Sequence, residues 1–226
     1  MTATFSLVRS KLLAVAAAVL ALAGCAIAPS TSTAPLAVWS QHGPAGLVAV
    51  RAIVAEGLPC PVASVENQAQ NMRVRAGGNG NTAAGNDKNP AFDPSFAVTS
   101  CEIDVPATTR QVEVDGQSVA MPKAAVQRII LLGDTGCRIK MPANGKGDPI
   151  QDCSSPAAWP WPRIASAAAR EQPDLVIHVG DYHYREYCDD PLRCTPLRER
   201  GVVVSYGWAG WQADFFAPAA PLLAQA

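Results

Sequence analysis

Two short apolar runs stand out along the chain, and each ends in Gly-Asp. Residues 129–136 read Ile-Ile-Leu-Leu-Gly-Asp-Thr-Gly, and residues 175–181 read Leu-Val-Ile-His-Val-Gly-Asp. An apolar run of this length bounded by glycine predicts a buried strand. Between them, Pro156 to Gln172 carries alanines with Ile164 and Arg170. Pro160 and Pro162 confine its regular part to 162–171, because proline is tolerated only in a helix's first turn, and Pro173 ends it. Strand, helix and strand make a parallel crossover, expected to be right-handed. Both Gly-Asp pairs then leave the sheet at its carboxyl edge, where open α/β sheets bind ligands.

The preceding segment has a different rhythm. Leu47 to Val54 is apolar and β-branched, Met72 to Arg75 alternates, Phe96 to Val105 alternates loosely, and Gln111 to Val119 alternates and turns at Asp115-Gly116. Asp-Gly between alternating runs predicts a hairpin. Residues 44–127 are therefore expected to form a small antiparallel β domain, with the Gly- and Asn-rich stretch Gly77 to Asn89 as a loop. After the second Gly-Asp, Val202 to Val204 predicts a brief strand or a buried loop. Trp208 to Phe216 and Pro218 to Ala226 predict helix, with Trp208, Trp211, Phe215 and Phe216 near one face. An aromatic stripe at helical spacing predicts core.

The first residues look like an address rather than a fold. Arg9 and Lys11 precede an apolar run from Leu12 to Ala23, too short to span a bilayer comfortably. This predicts a secretory signal over 1–24. Leu22-Ala23-Gly24-Cys25 resembles a bacterial lipobox, which implies cleavage before Cys25 and a lipid on it; a plain cleavable signal is the other reading. Residues 25–43, with Ser and Thr between prolines, then read as a tether. Export agrees with the cysteines. Of seven, six remain beyond Cys25, and an even number in an exported chain suggests disulfides. Sequential pairing is expected: Cys60–Cys101, Cys137–Cys153 and Cys188–Cys194. Scattered cysteines without C-x-x-C spacing disfavour zinc. A net charge of −1 without a basic run argues against nucleic acid as a partner.

The paired Gly-Asp strands resemble the first two blocks of the calcineurin-like metallophosphoesterases. Within that family, Gly133-Asp134-Thr135-Gly136 resembles the G-D-x-G block of purple acid phosphatases, and Gly180-Asp181-Tyr182-His183-Tyr184 their G-D-x-x-Y block. The resemblance covers residues 128–226. It implies an α/β fold, the start of a calcineurin-like αββα sandwich, behind the small antiparallel β domain. It implies hydrolysis of a phosphoester substrate at two metal ions, Fe³⁺ plus a divalent ion (Fe, Zn or Mn). By the same resemblance Asp134 binds the first metal, Asp181 bridges both, and Tyr184 is the tyrosinate ligand of Fe³⁺.

Other residues near these blocks are open to two readings. Strand-like alternation would point His183 towards substrate, as a phosphate-binding or proton-donating catalytic group, whereas it could equally be a histidine of the loop behind the ligands. Arg185 would meet a phosphate or form a salt bridge. His178, inside an apolar strand, reads as a core histidine, and His42 lies in the linker. The loop from Cys137 to Cys153 forms either one wall of the site or a surface decoration. The family's remaining blocks, G-N-H-[ED], a later histidine and G-H-x-H, do not occur, and the chain has three histidines in all. The chain is therefore expected to be the amino-terminal part of a longer enzyme, weak in metal binding, inactive alone and poorly soluble. The competing reading is a non-catalytic exported lipoprotein that kept the fold and lost the chemistry. A phosphodiesterase or alkaline phosphatase of the same broad chemistry would differ mainly in metals and substrate.

Overall fold

Alternating valines build most of the first half. A computed structural model describes residues 34–78, 95–139, 150–185 and 191–225. Its strands are β1 (Ala37–His42), β2 (Leu47–Ala55), β3 (Val62–Val65), β4 (Gln68–Asn71), β5 (Arg73–Ala76), β6 (Val98–Pro106), β7 (Val112–Val114) and β8 (Gln117–Ser118). They form two antiparallel four-stranded sheets, ordered β1-β2-β6-β5 and β4-β3-β7-β8. The sheets close on one core that includes Val48, Val50 and Val54 of β2, Val105 of β6 and Val112 and Val114 of β7, all fully buried or nearly so. The expected β domain is thus a two-sheet sandwich. Asp115 and Gly116 have φ of 50° and 74°, as the tight hairpin turn between β7 and β8 requires. Glu66 and Asn67, at 48° and 64°, make the matching turn between β3 and β4.

β1 lies inside the stretch expected to be tether. It pairs along its whole length with β2, Ala37 facing Ile53 and His42 facing Val48. The reason is burial: Val38 is a member of the sandwich core, and an edge strand supplies the outer partner that β2 needs. The stretch expected to be a signal, Cys25 with its expected lipid, and most of Gly77 to Asn89 lie outside the described residues.

The second half opens with the crossover. Strand β9 (Ile129–Leu132) is followed by helix α1 (Trp161–Arg170) and strand β10 (Leu175–His178). β9 and β10 pair in parallel, Ile129 facing Leu175 and Leu132 facing His178. α1 buries Trp161, Ala165, Ala168 and Ala169, and its alanines let it pack against α4 (Ala217–Leu223). Fully buried Pro173 stops the chain for the return into β10. α2 (Pro191–Glu199) contributes Leu197 to the same core, and a last helical run comprises α3 (Trp208–Trp211), a π-helical turn (Gln212–Phe216) and α4. Val202 is buried in this core as loop, not strand.

One expectation is corrected here. The apolar runs at β9 and β10 are not buried on both faces. Ile130, Leu132 and Val176 pack against the core, whereas Ile129, Leu131, Ile177 and Val179 are exposed, Leu131 by 66%. The helical core lies on one face of this two-stranded sheet, and among the described residues nothing covers the other. The whole is a mixed α/β fold in which the described residues form one compact unit. α4 packs against β1, and the Trp39 and Phe216 ring centroids are 5.5 Å apart.

Two expected disulfides are present: Cys60–Cys101, which ties the segment before β3 to β6, and Cys137–Cys153. Cys188, and with it the third pair, lies outside the described residues. Disulfides suit an extracellular or periplasmic protein. Among the described residues no helix is long and apolar enough to cross a membrane.

Candidate metal centre

Parallel pairing in register carries Asp134 and Asp181 to the same end of the sheet. The ladder extends one step past the strands, Val179 N donating to Leu132 O at 2.6 Å. Just past the strands the loops join again: Thr135 N, one residue beyond the first Gly-Asp, donates to the carbonyl of Asp181 in the second at 3.0 Å. Glycine is required on both sides of this approach. Gly180 has φ of 136°, and a Cβ there would stand 2.8 Å from Asp134 Oδ2. A Cβ on Gly136 would stand 2.6 Å from Tyr184 N. Asp134 itself has φ of 52°, an uncommon conformation that Asp tolerates better than most residues and that concentrates at functional sites.

Three oxygen-bearing side chains meet at this edge. Tyr184 Oη donates a short hydrogen bond to Asp134 Oδ1. The Tyr184 phenol is raised well above its ordinary pKa, first by burial and then by its hydrogen bonds to Asp134 and Asp181, whose charges add to the effect. Both carboxylates are exposed, while Thr135 and Gly136 behind them are buried. The structure therefore brings Asp134, Asp181 and Tyr184 together from two loops.

The neighbouring histidines are placed less simply. His183 is half-buried, its ring stacked parallel on Trp211 with centroids 5.9 Å apart. Its Nε2 is shielded from solvent against Gly210 and makes no hydrogen bond. As placed, His183 faces the helical layer rather than the carboxylates; residues 181–185 are loop, so strand-like alternation does not govern them. His178, expected in the core, sits at the loop junction instead. Its Nε2 lies 3.0 Å from Thr135 Oγ1 and its ring stacks on Tyr182 at 3.7 Å. Burial lowers the His178 pKa, opposed by the Asp134 charge.

Arg185 forms an ion pair, but a buried one. It is 4% exposed, its Nε donates to Asp214 Oδ1, and its guanidinium lies 4.9 Å from the centre of the Trp159 ring. Asp214 is the residue that sequence reasoning missed. It is fully buried and accepts Cys137 N at 3.1 Å and Tyr184 N at 2.9 Å. The available signal was an acid inside the aromatic stripe Trp211 to Phe216, three residues after Trp211. Phe215 of that stripe packs against the core as expected. Trp211, Phe215 and Phe216 also line a cavity of about 460 Å³ with Trp39, His178 and Tyr182.

Two carboxylates and a phenol are hard oxygen donors, suited to a hard cation once the phenol gives up its proton. In the geometry described, that proton lies between groups whose combined charge a cation would neutralise, so the donor set fits one such ion. Among the described residues no three His, Cys, Asp or Glu side chains stand together as a metal cluster. A second ion would rest on Asp181 alone. Of the loop from Cys137 to Cys153, read as either a wall of the site or a surface decoration, residues 140–149 lie outside the described residues; the described part begins at the Asp214 contact and is closed by its disulfide.

No protein-family model, curated protein or solved structure matches the chain.

Proposed function

We propose that this chain carries part of a metal-dependent phosphoesterase centre of the calcineurin-like type, with Asp134, Asp181 and Tyr184 as metal ligands. One observation carries the proposal: side chains from two Gly-Asp loops converge through the Tyr184–Asp134 hydrogen bond. A parallel strand-helix-strand unit holding both loops at one sheet edge supports it further. Exported, lipid-anchored placement through Cys25 belongs to the same proposal, and the disulfides agree with export.

When bound, metal ions of the proposed pair, Fe³⁺ and a divalent ion, lower the pKa of water and neutralise charge on a phosphoester substrate. The chain's own part is positional. Asp134 and Asp181 present carboxylates from a rigid edge, and Tyr184 holds a proton at Oη that must leave before the oxygen can act as a ligand. Thr135 ties His178 behind the first loop, and His178 and Phe215 back Tyr182. His183, packed on Trp211, supports the second loop.

With three ligand side chains together, we expect weak metal binding and no turnover by the chain alone. The same scarcity favours the second reading, a non-catalytic exported lipoprotein with a degenerate site. Titration with Fe³⁺ separates the readings. A visible tyrosinate absorption band that Tyr184→Phe abolishes supports the ligand set, and a band unaffected by that change, or none at all, overturns the Tyr184 assignment. Metal-dependent hydrolysis of an aryl phosphate by this chain would contradict the expectation of inactivity.

A further inference from the structure

We propose that Asp214 is a positioning residue for the Asp134, Asp181 and Tyr184 site, holding both ligand loops through one buried carboxylate. Asp214 is 0% exposed. Its Oδ1 accepts the amide of Cys137, three residues past Asp134, and its Oδ2 accepts the amide of Tyr184, three residues past Asp181. The two loop amides are therefore fastened to different oxygens of the same group. The distance between the two amides is set by the width of a carboxylate, which does not flex.

Three further features make this more than a stray ion pair. Arg185 supplies the counter-charge from within the second loop, so the pairing also draws that loop inwards. The first loop is held again by the disulfide from Cys137 to Cys153. Asp214 lies in the π-helical turn Gln212–Phe216, where Ala217 N reaches back to Gln212 O. Such turns are rare and cluster at functional sites. A buried ion pair is weak evidence for stability, since apolar replacements often serve as well. Two backbone amides from two loops cannot be held by an apolar side chain, and that is what the carboxylate supplies. Outer partners of this kind set ligand orientation, and losing one typically costs about 10–100-fold in metal affinity.

The test uses the full chain and Tb³⁺, a hard cation whose luminescence nearby Tyr and Trp sensitise; this arm rests on the metal reading. Asp214→Asn keeps size but loses one acceptor and the charge. Leu222→Ala, in the same core but on α4 and making no hydrogen bond to either loop, serves as a control matched for its fall in Tm. The expected result is an affinity loss of about 10–100-fold for Asp214→Asn, with Leu222→Ala within about twofold of the parent. Unchanged binding by Asp214→Asn, or an equal loss in Leu222→Ala, overturns the proposal. If the parent and Asp181→Asn bind Tb³⁺ alike, the metal reading fails, and amide hydrogen exchange decides. Faster exchange at Cys137 and Tyr184 together, in Asp214→Asn but not Leu222→Ala, sustains the positioning role. Exchange raised at one loop only, or throughout, overturns it. Should Asp214→Asn not fold, Asp214→Glu keeps the charge for Arg185 and moves both acceptors, and wild-type affinity in that variant overturns the proposal.

Discussion

Gly136→Ala probes the closest contact between the two loops. The added Cβ would meet Tyr184 N at 2.6 Å, and His183 C and Tyr184 Cδ2 at 3.0 Å each. Two of these atoms are backbone, so no side-chain rotation relieves the overlap. Restoring ordinary contact at 3.4 Å requires the second loop to retreat by about 0.8 Å. A retreat of that size away from Asp214 would take the Tyr184 amide, now 2.9 Å from Asp214 Oδ2, beyond about 3.5 Å, outside hydrogen-bonding range. Losing a buried hydrogen bond to a charged group costs about 1.5–3 kcal/mol. Accepting the overlap instead costs about 1–3 kcal/mol, so either route gives a similar figure. In a chain of this size that lowers Tm by roughly 3–12 °C. Urea unfolding should show a lower midpoint at unchanged slope, and Fe³⁺ titration should show a weakened tyrosinate band. Gly77→Ala is the control: its Cβ would meet nothing within 4 Å, so it should be neutral or stabilising by about 0.4–1 kcal/mol. A Gly136→Ala protein with the parent midpoint and the parent band would refute the reasoning.

Further outcomes can be checked separately. Removing Cys60–Cys101, with a sequence separation of 41, should cost about 4 kcal/mol by the chain-entropy argument, and removing Cys137–Cys153, with 16, about 3 kcal/mol, read as shifts in denaturation midpoint. Asp174 is held down to about 2 by its hydrogen bond from Lys123, then by the amides of Gln127 and Arg128. Its folded pKa lies below the unfolded value, so its stabilisation is complete above about pH 4 and is lost as pH falls towards 2. Acid titration of Tm should flatten in that window for Asp174→Asn, and an unchanged slope would contradict this role of Asp174. Leu131→Lys, on the exposed face of β9, should reduce binding of a hydrophobic dye with stability within about 0.5 kcal/mol of the parent. A fall in Tm of several degrees would mean that this face is covered.

What local chemistry specifies was legible. Ile129–Leu132 and Leu175–His178 are apolar, bounded by glycine and joined by an alanine-rich helix that prolines start and stop, so strand, helix, strand followed directly. Asp115-Gly116 specified its turn through φ alone, and the two described disulfides join cysteines that follow one another in sequence. The pairing of Asp134 with Asp181 followed from parallel register, since two strands running the same way end at the same edge. β3 and β4 were not legible, because every residue of Gln68–Asn71 is exposed and the Glu66-Asn67 turn lacks glycine. β1 was hidden in a stretch that begins with a proline-rich tether, since its strand character comes from pairing with β2. Only the tertiary structure decided where His183, Arg185 and Asp214 point. A loop has no period from which to read a direction, and the meaning of Asp214 depends on two amides 77 and 30 residues away. Sequence carries what neighbours along the chain impose; a buried carboxylate is explained by partners that only folding brings within 3.1 Å.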